Sequence, residues 1–149
     1  MSDTLRERAL RMLARREHAR AELARKLAPH AESADALDAL LDDLERRHLL
    51  SDERYAEMRV NVRSARYGNA RLIQELRATG VDPGAVDQAL ATVEGEFSRA
   101  RRVWQRKFGA NIPPVDASER ARQANFLMRR GFSGDIIRRL LRGDYEGEQ

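Results

Sequence analysis

The stretch Leu76-Arg77-Ala78-Thr79-Gly80-Val81-Asp82-Pro83-Gly84-Ala85-Val86-Asp87-Gln88-Ala89-Leu90 decides the fold, because it holds the end of one helix, a turn and the start of the next. Glycine just after the last apolar residue is a helix stop, since the left-handed conformation needed there disfavours a side chain. Asp82-Pro83 is a start signal: the carboxylate can cap exposed amides, and proline suits the first turn, where its missing N–H is not needed. Leu76, Gly80, Val81, Val86 and Leu90 recur at one constant offset as Leu127, Gly131, Phe132, Ile137 and Leu141. Toward the N-terminus, Leu27, Leu37, Leu41 and Leu44 match Leu76, Val86, Leu90 and Val93, with Ala31 in place of the turn glycine.

Working outward, further starts fall at Ser33, Ser51-Asp52, Asn69, Ser118 and Ser133, and further stops at Gly68 and Gly109. Helices are predicted near residues 4–16, 18–28, 34–47, 52–66, 70–79, 83–94, 96–108, 118–130 and 134–142. Alternating β-branched and aromatic strand signals are missing. The expected fold is all-α: tandem three-helix repeats, three units and about nine helices, in an elongated or curved array. The units run over 1–50, 51–95 and 96–143, followed by an acidic tail at 144–149. The last unit is interrupted near 109–117, where Pro113-Pro114 cannot continue a helix. A lone unit of about 45 residues buries too little apolar surface to be stable, so neighbours or a partner must complete it.

Composition narrows the chemistry. The chain of 149 residues has no cysteine, which removes disulfides and thiolate sites and fits a reducing cytosol. The charged start Met1-Ser2-Asp3-Thr4-Leu5-Arg6 does not resemble a signal peptide, and no apolar run is long enough to span a bilayer, so the expectation is a soluble cytoplasmic protein without membrane association. His18, His30 and His48 are scattered without a metal-ligand pair, and are expected to be solvated surface or turn residues. No phosphate loop or nucleophile elbow is present. The chain is therefore read as a binding protein rather than an enzyme, with no catalytic residues, cofactor or metal.

Several stretches in order are similar to the RecX family. They are Ala9-Leu10-x-x-Leu13-Ala14-x-Arg16-Glu17, Glu22-Leu23-x-x-Lys26-Leu27, Leu49-Leu50-Ser51-Asp52-x-Arg54-Tyr55-Ala56, the Leu76-x-x-x-Gly80-Val81 turn and Phe126-Leu127-x-x-Arg130-Gly131-Phe132-Ser133. His18-Ala19 departs from the serine common after the arginine–glutamate pair, and Ala31 from the turn glycine; both lie in the first repeat. The resemblance implies a regulator that lodges in the groove of the RecA–DNA filament. It would hinder ATP hydrolysis and strand exchange in DNA repair, recombination and the SOS response.

The charge pattern supplies candidate contacts. Of 28 basic residues all but Lys26 and Lys107 are arginine, which suits phosphate and carboxylate recognition but also follows from codon bias in a GC-rich genome. Charge alternates along the chain: Leu5–Ala28 is basic, Pro29–Glu53 acidic, Arg54–Thr79 basic and Gly80–Ser98 acidic. Arg59, Arg63 and Arg66 form one stripe on the 52–66 helix, opposite an apolar side of Tyr55, Met58, Val62 and Ala65. In the last unit Arg120, Arg122, Arg129, Arg130, Arg138, Arg139 and Arg142 make the most cationic surface. These ten arginines are the candidate contacts to recombinase and to single- or double-stranded DNA, through weak, salt-sensitive phosphate contacts.

Asp35, Asp38, Asp42 and Glu45 form an acidic stripe that either pairs with Arg11, Arg15 or Arg20 or docks a basic partner. Tyr55, Tyr67, Trp104 and Phe108 lie near arginines, as in single-strand binders, but Tyr55, Trp104 and Phe126 sit at core-like helical positions, which favours core packing over base stacking. The expected assembly is a monomer. A second reading is a stand-alone DNA-binding helical protein with helix-turn-helix-like units, and a third is a structural adaptor held by its acidic helices.

Overall fold

The computed structural model describes residues 3–143; the acidic tail expected at 144–149 lies outside the described residues. Nine α-helices are found among them and no strand: α1 (Leu5–Arg15), α2 (Arg20–Leu27), α3 (Ala34–Arg46), α4 (Asp52–Arg63), α5 (Asn69–Ala78), α6 (Pro83–Leu90), α7 (Glu96–Phe108), α8 (Ala117–Arg129) and α9 (Gly134–Arg142). Single turns of 3-10 helix follow α2 at Ala28–His30 and α7 at Gly109–Asn111. None of the helices is long and apolar enough to cross a membrane.

Most helices begin where a capping side chain sits. Ser33 Oγ accepts from the Ala36 amide at 3.0 Å, Ser51 Oγ from Arg54 at 3.2 Å, and Ser133 Oγ from Ile136 at 3.3 Å. For α8 the cap is Asp116, which accepts from the Glu119 amide at 2.8 Å, rather than Ser118. An aspartate two residues earlier caps the chain first, so the helix starts sooner.

The repeated turn has one hydrogen-bond pattern in both copies. Val81 N–H donates to Leu76 O and Gly80 N–H to Arg77 O, while Phe132 N–H donates to Leu127 O and Gly131 N–H to Met128 O. Gly80 and Gly131 have φ of 80° and 90°. The first copy differs, as the missing glycine suggests: Ala31 has φ −86° and α2 closes through the 3-10 turn containing Pro29.

Packing separates the described residues into two compact units, one holding 3–59 with Leu76–Ala89 and the other Val60–Glu75 with 90–143. The first is built on leucine: Leu23, Leu27, Leu37, Leu41, Leu44 and Leu50 cluster with Ala9. The second is aromatic: Phe97, Trp104, Phe108 and Phe132 cluster with Leu127, Ile137, Leu140 and Leu141. Trp104 donates its indole N–H to Gln123 Oε1 at 2.7 Å, and the fully buried Gln123 amide donates to Asn111 O at 3.1 Å and Glu119 Oε1 at 3.0 Å. A polar pair thus fixes α8 against α7 with its donors and acceptors satisfied.

Four expectations need correction. Helix α4 ends at Arg63 rather than residue 66, and α6 at Leu90 rather than 94. The inward face of α4 carries Tyr55, Ala56 and Val60, with Ser64 just beyond its end, while Val62 is 69 % exposed. The buried row follows the i, i+4, i+8 progression from Ala56, which puts Val62 on the opposite side. His18 is buried at 3 % exposure rather than solvated; Nδ1 lies 3.1 Å from Arg16 O and Nε2 3.2 Å from Lys26 Nζ.

Candidate nucleic-acid interface

In the second unit, the turn after α4, the last turns of α7 and the end of α8 enclose a cleft of about 340 Å3. Its walls carry Arg66, Arg106, Lys107 and Arg130, two aromatic rings, Tyr67 and Phe126, and the small apolar side chains Ala65 and Val103. No carboxylate lines it. Four cations around a concave surface without an internal counter-charge give a positive potential suited to phosphate oxygens.

The geometry begins with two glycines. A Cβ on Gly68 would lie 2.3 Å from Gly131 O, and one on Gly131 would lie 2.4 Å from Arg71 Cβ. This close approach lets Gly68 N–H donate to Arg130 O at 2.7 Å and Ala70 N–H to Gly131 O at 3.2 Å. Amides at the start of α5, which have no partner inside that helix, are received by carbonyls of the α8–α9 turn.

Arg99, 4 % exposed on α7, braces the same turn from inside. Its guanidinium donates to Ser64 O at 3.0 Å, Tyr67 O at 2.8 Å and Asn69 Oδ1, while Nε donates to Glu94 O at 2.8 Å. Burial holds its pKa below the ordinary arginine value, opposed by the charges of Glu96 and Glu94. Because Ser64 and Tyr67 turn their carbonyls to Arg99, α4 stops before Arg66, and Arg66 projects from a turn into the cleft.

The rings hold cations. Arg130 lies 5.0 Å from the Phe126 centroid and 5.4 Å from that of Tyr67, and donates to Arg66 O at 3.4 Å. Lys107 sits 5.5 Å from Phe126, which also meets Phe108 edge-to-face at 5.4 Å. Tyr67 has Arg71 at 4.3 Å and Arg63 at 4.5 Å. With these guanidinium groups against its ring, Tyr67 is poorly placed to stack a base. The cleft is built to present charge rather than to read bases.

The structure disperses the candidate arginines. Arg66 and Arg130 meet in the cleft. Arg63 is engaged within the protein, donating to both Glu75 oxygens at 2.7 Å, and that pairing holds its pKa above the ordinary arginine value. Arg59 is half-buried on α4 and does not join Arg66 on a common helix face, because α4 has ended. Arg122 pairs with Glu119 at 2.9 Å, and Arg139 lies 4.4 Å from the Phe97 ring. Arg120, Arg138 and Arg142 line a different groove, between α8 and α9, and Arg129 is exposed at the end of α8.

In the first unit, Asp42 and Glu45 both accept from Arg20, the former at 2.7 Å, while Asp35 and Asp38 are exposed. Arg106 and Lys107 escaped the sequence reading. Their signal was the basic last turn of α7 running into Phe108.

Two family models match the chain: RecX, second three-helix domain, over residues 51–90, and RecX, third three-helix domain, over residues 94–141. A protein named Regulatory protein RecX in Leptothrix cholodnii is 50 % identical over 145 residues, covering 96 % of this chain and 91 % of that one. Its counterpart in Ralstonia nicotianae is 49 % identical over 141 residues, covering 94 % and 87 %. The fold is similar to that in the crystal structure of RecX from Lactobacillus salivarius, with a TM-score of 0.81 at 20 % identity over 93 % of each chain.

Proposed function

Because the chain belongs to the RecX family, we propose that it regulates a RecA-type recombinase by binding the recombinase–DNA filament and restraining ATP hydrolysis and strand exchange. The observation that carries this reading is the carboxylate-free cleft, in which Arg66, Arg106, Lys107 and Arg130 can follow a phosphate backbone without regard to base sequence. A filament wraps one continuous backbone in protein, so a regulator seated along it needs contacts of that kind beside contacts to recombinase. In this reading the protein acts as a cytoplasmic monomer during recombinational repair and the SOS response, without chemistry of its own.

The test is the single-strand-DNA-dependent ATPase of the cognate recombinase. Substoichiometric protein is expected to depress it at salt concentrations where the protein's own DNA binding is already weak. No inhibition there, with DNA binding intact at low salt, would favour a stand-alone DNA-binding protein. Replacing Arg66 and Arg106 together by alanine is expected to weaken the inhibition with the helical content unchanged.

A further inference from the structure

We infer that the groove between α8 and α9 docks a protein partner presenting an acidic amphipathic helix. The groove, of about 520 Å3, belongs to the second unit but shares no lining residue with the cleft. Ile137 and Leu141 of α9 and the alanines of α8 form its floor, and Met128, 59 % exposed, stands at one end. The small side chains of α8 keep the floor low enough for another helix to approach. Methionine, unbranched and polarizable, adapts to the face laid against it.

Charge identifies the occupant. Arg120, Arg138 and Arg142 edge the apolar floor, and no lining residue is acidic. The Arg138 side chain is 68 % exposed and its contact with Asp135 is 4.0 Å, too long for a hydrogen bond. The cleft places its cations around a concavity, Lys107 and Arg130 of them over rings; the groove places them around an apolar strip. A phosphate backbone would meet the edges and leave the strip wet. A helix with apolar residues at i, i+3 or i+4, and i+7 covers the strip while its carboxylates reach the arginines.

A second copy of this chain fits poorly, because its acidic helix α3 already buries Leu37, Leu41 and Leu44 in its own core. The segment Asp144-Tyr145-Glu146-Gly147-Glu148-Gln149 has the charge but only one large apolar side chain. This inference goes beyond the recombinase reading and stands independently of it.

The experiment uses the full chain and a fluorescein-labelled synthetic helical peptide with leucines along one face and glutamates on the other, followed by fluorescence anisotropy. Saturable binding is expected. Met128→Glu, at an exposed position, is expected to weaken it about tenfold, equivalent to about 1.4 kcal/mol, with circular dichroism unchanged. Arg120→Glu with Arg138→Glu should weaken it further and remove its salt dependence.

An isomeric peptide with its leucines scattered around the helix should not bind. The inference is overturned if that isomer binds equally, if Met128→Glu has no effect, or if a DNA oligonucleotide displaces the peptide. Tighter peptide binding after deletion of residues 144–149 would make the chain's own tail the occupant. A dimer abolished by Met128→Glu would make it a second copy. Either result also overturns the inference.

Discussion

In the first unit Arg6, Arg20 and Arg54 reach carboxylates on other segments, Asp43 at 2.6 Å, Asp42 at 2.7 Å and Glu17 at 2.9 Å. In the second, Arg130 and Arg139 lie over Phe126 and Phe97. Both arrangements seat a guanidinium, and they differ in the charge they bring to it. A carboxylate cancels the charge it fixes, whereas a ring holds the cation through its quadrupole and brings no opposite charge of its own. The leucine cluster itself holds no ring, and Arg6, Arg20 and Arg54 pair with acids. An aromatic core offers rings as well as acids, and Arg130 uses them.

The largest effect that would break this contrast is at Arg99. Replacing it with methionine is expected to destabilise the second unit by about 3 kcal/mol, because the turn carbonyls it serves lose a charged donor in a buried setting. Urea unfolding measures this, and a change below about 1 kcal/mol would mean the turn is held by the glycine contact alone. Next come Arg66 and Arg106. Each replacement by alanine should lower the slope of log affinity for DNA against log salt by about 1, while Arg6→Ala should leave it unchanged. An equal fall for Arg6 would erase the distinction between the units.

Arg20→Met should cost the first unit about 1 kcal/mol or less, since its pairs with Asp42 and Glu45 are largely solvent-screened. The smallest expected effect is a pH dependence at His18. Burial, with Lys26 beside it, holds its pKa below the ordinary 6.5, so the folded state prefers neutral imidazole. The unfolded chain takes up the proton first. Stability is therefore full above pH 6.5 and falls as pH drops through that value toward the folded pKa. His18→Gln should flatten this part of the urea-midpoint profile; an unchanged profile would exclude His18 as its source.

The helical repeat was readable because its signals are local: Gly80 and Gly131 stop helices and Ser33 and Ser133 start them within a few residues of the apolar rows they serve. The family resemblance was readable for the same reason, being carried by short runs in order. The site was only partly readable. Arg66 and Arg130 stood out as members of basic helices, but a helix projection could not show that α4 stops at Arg63, because what stops it is a buried arginine far along the chain binding backbone carbonyls. Carbonyl acceptors leave no mark in a sequence, so Arg99 looks there like its neighbours Arg101 and Arg102. The stripe of Arg59, Arg63 and Arg66 failed as a unit for that reason, and the pairing of Arg63 with Glu75 needs α4 and α5 to be folded against each other before it can be seen.

The contact between Gly68 and Gly131 also sets an order of events. The α4–α5 turn is synthesised well before Arg130 and Gly131, whose carbonyls receive its amides. Until those residues have left the ribosome, Tyr67 and Arg66 have no opposite wall, and the concave cationic surface does not exist. A chain cut before Arg130 can present its leucine-rich first unit, but the concave cationic surface of the second forms only once α8 and the turn after it are in place.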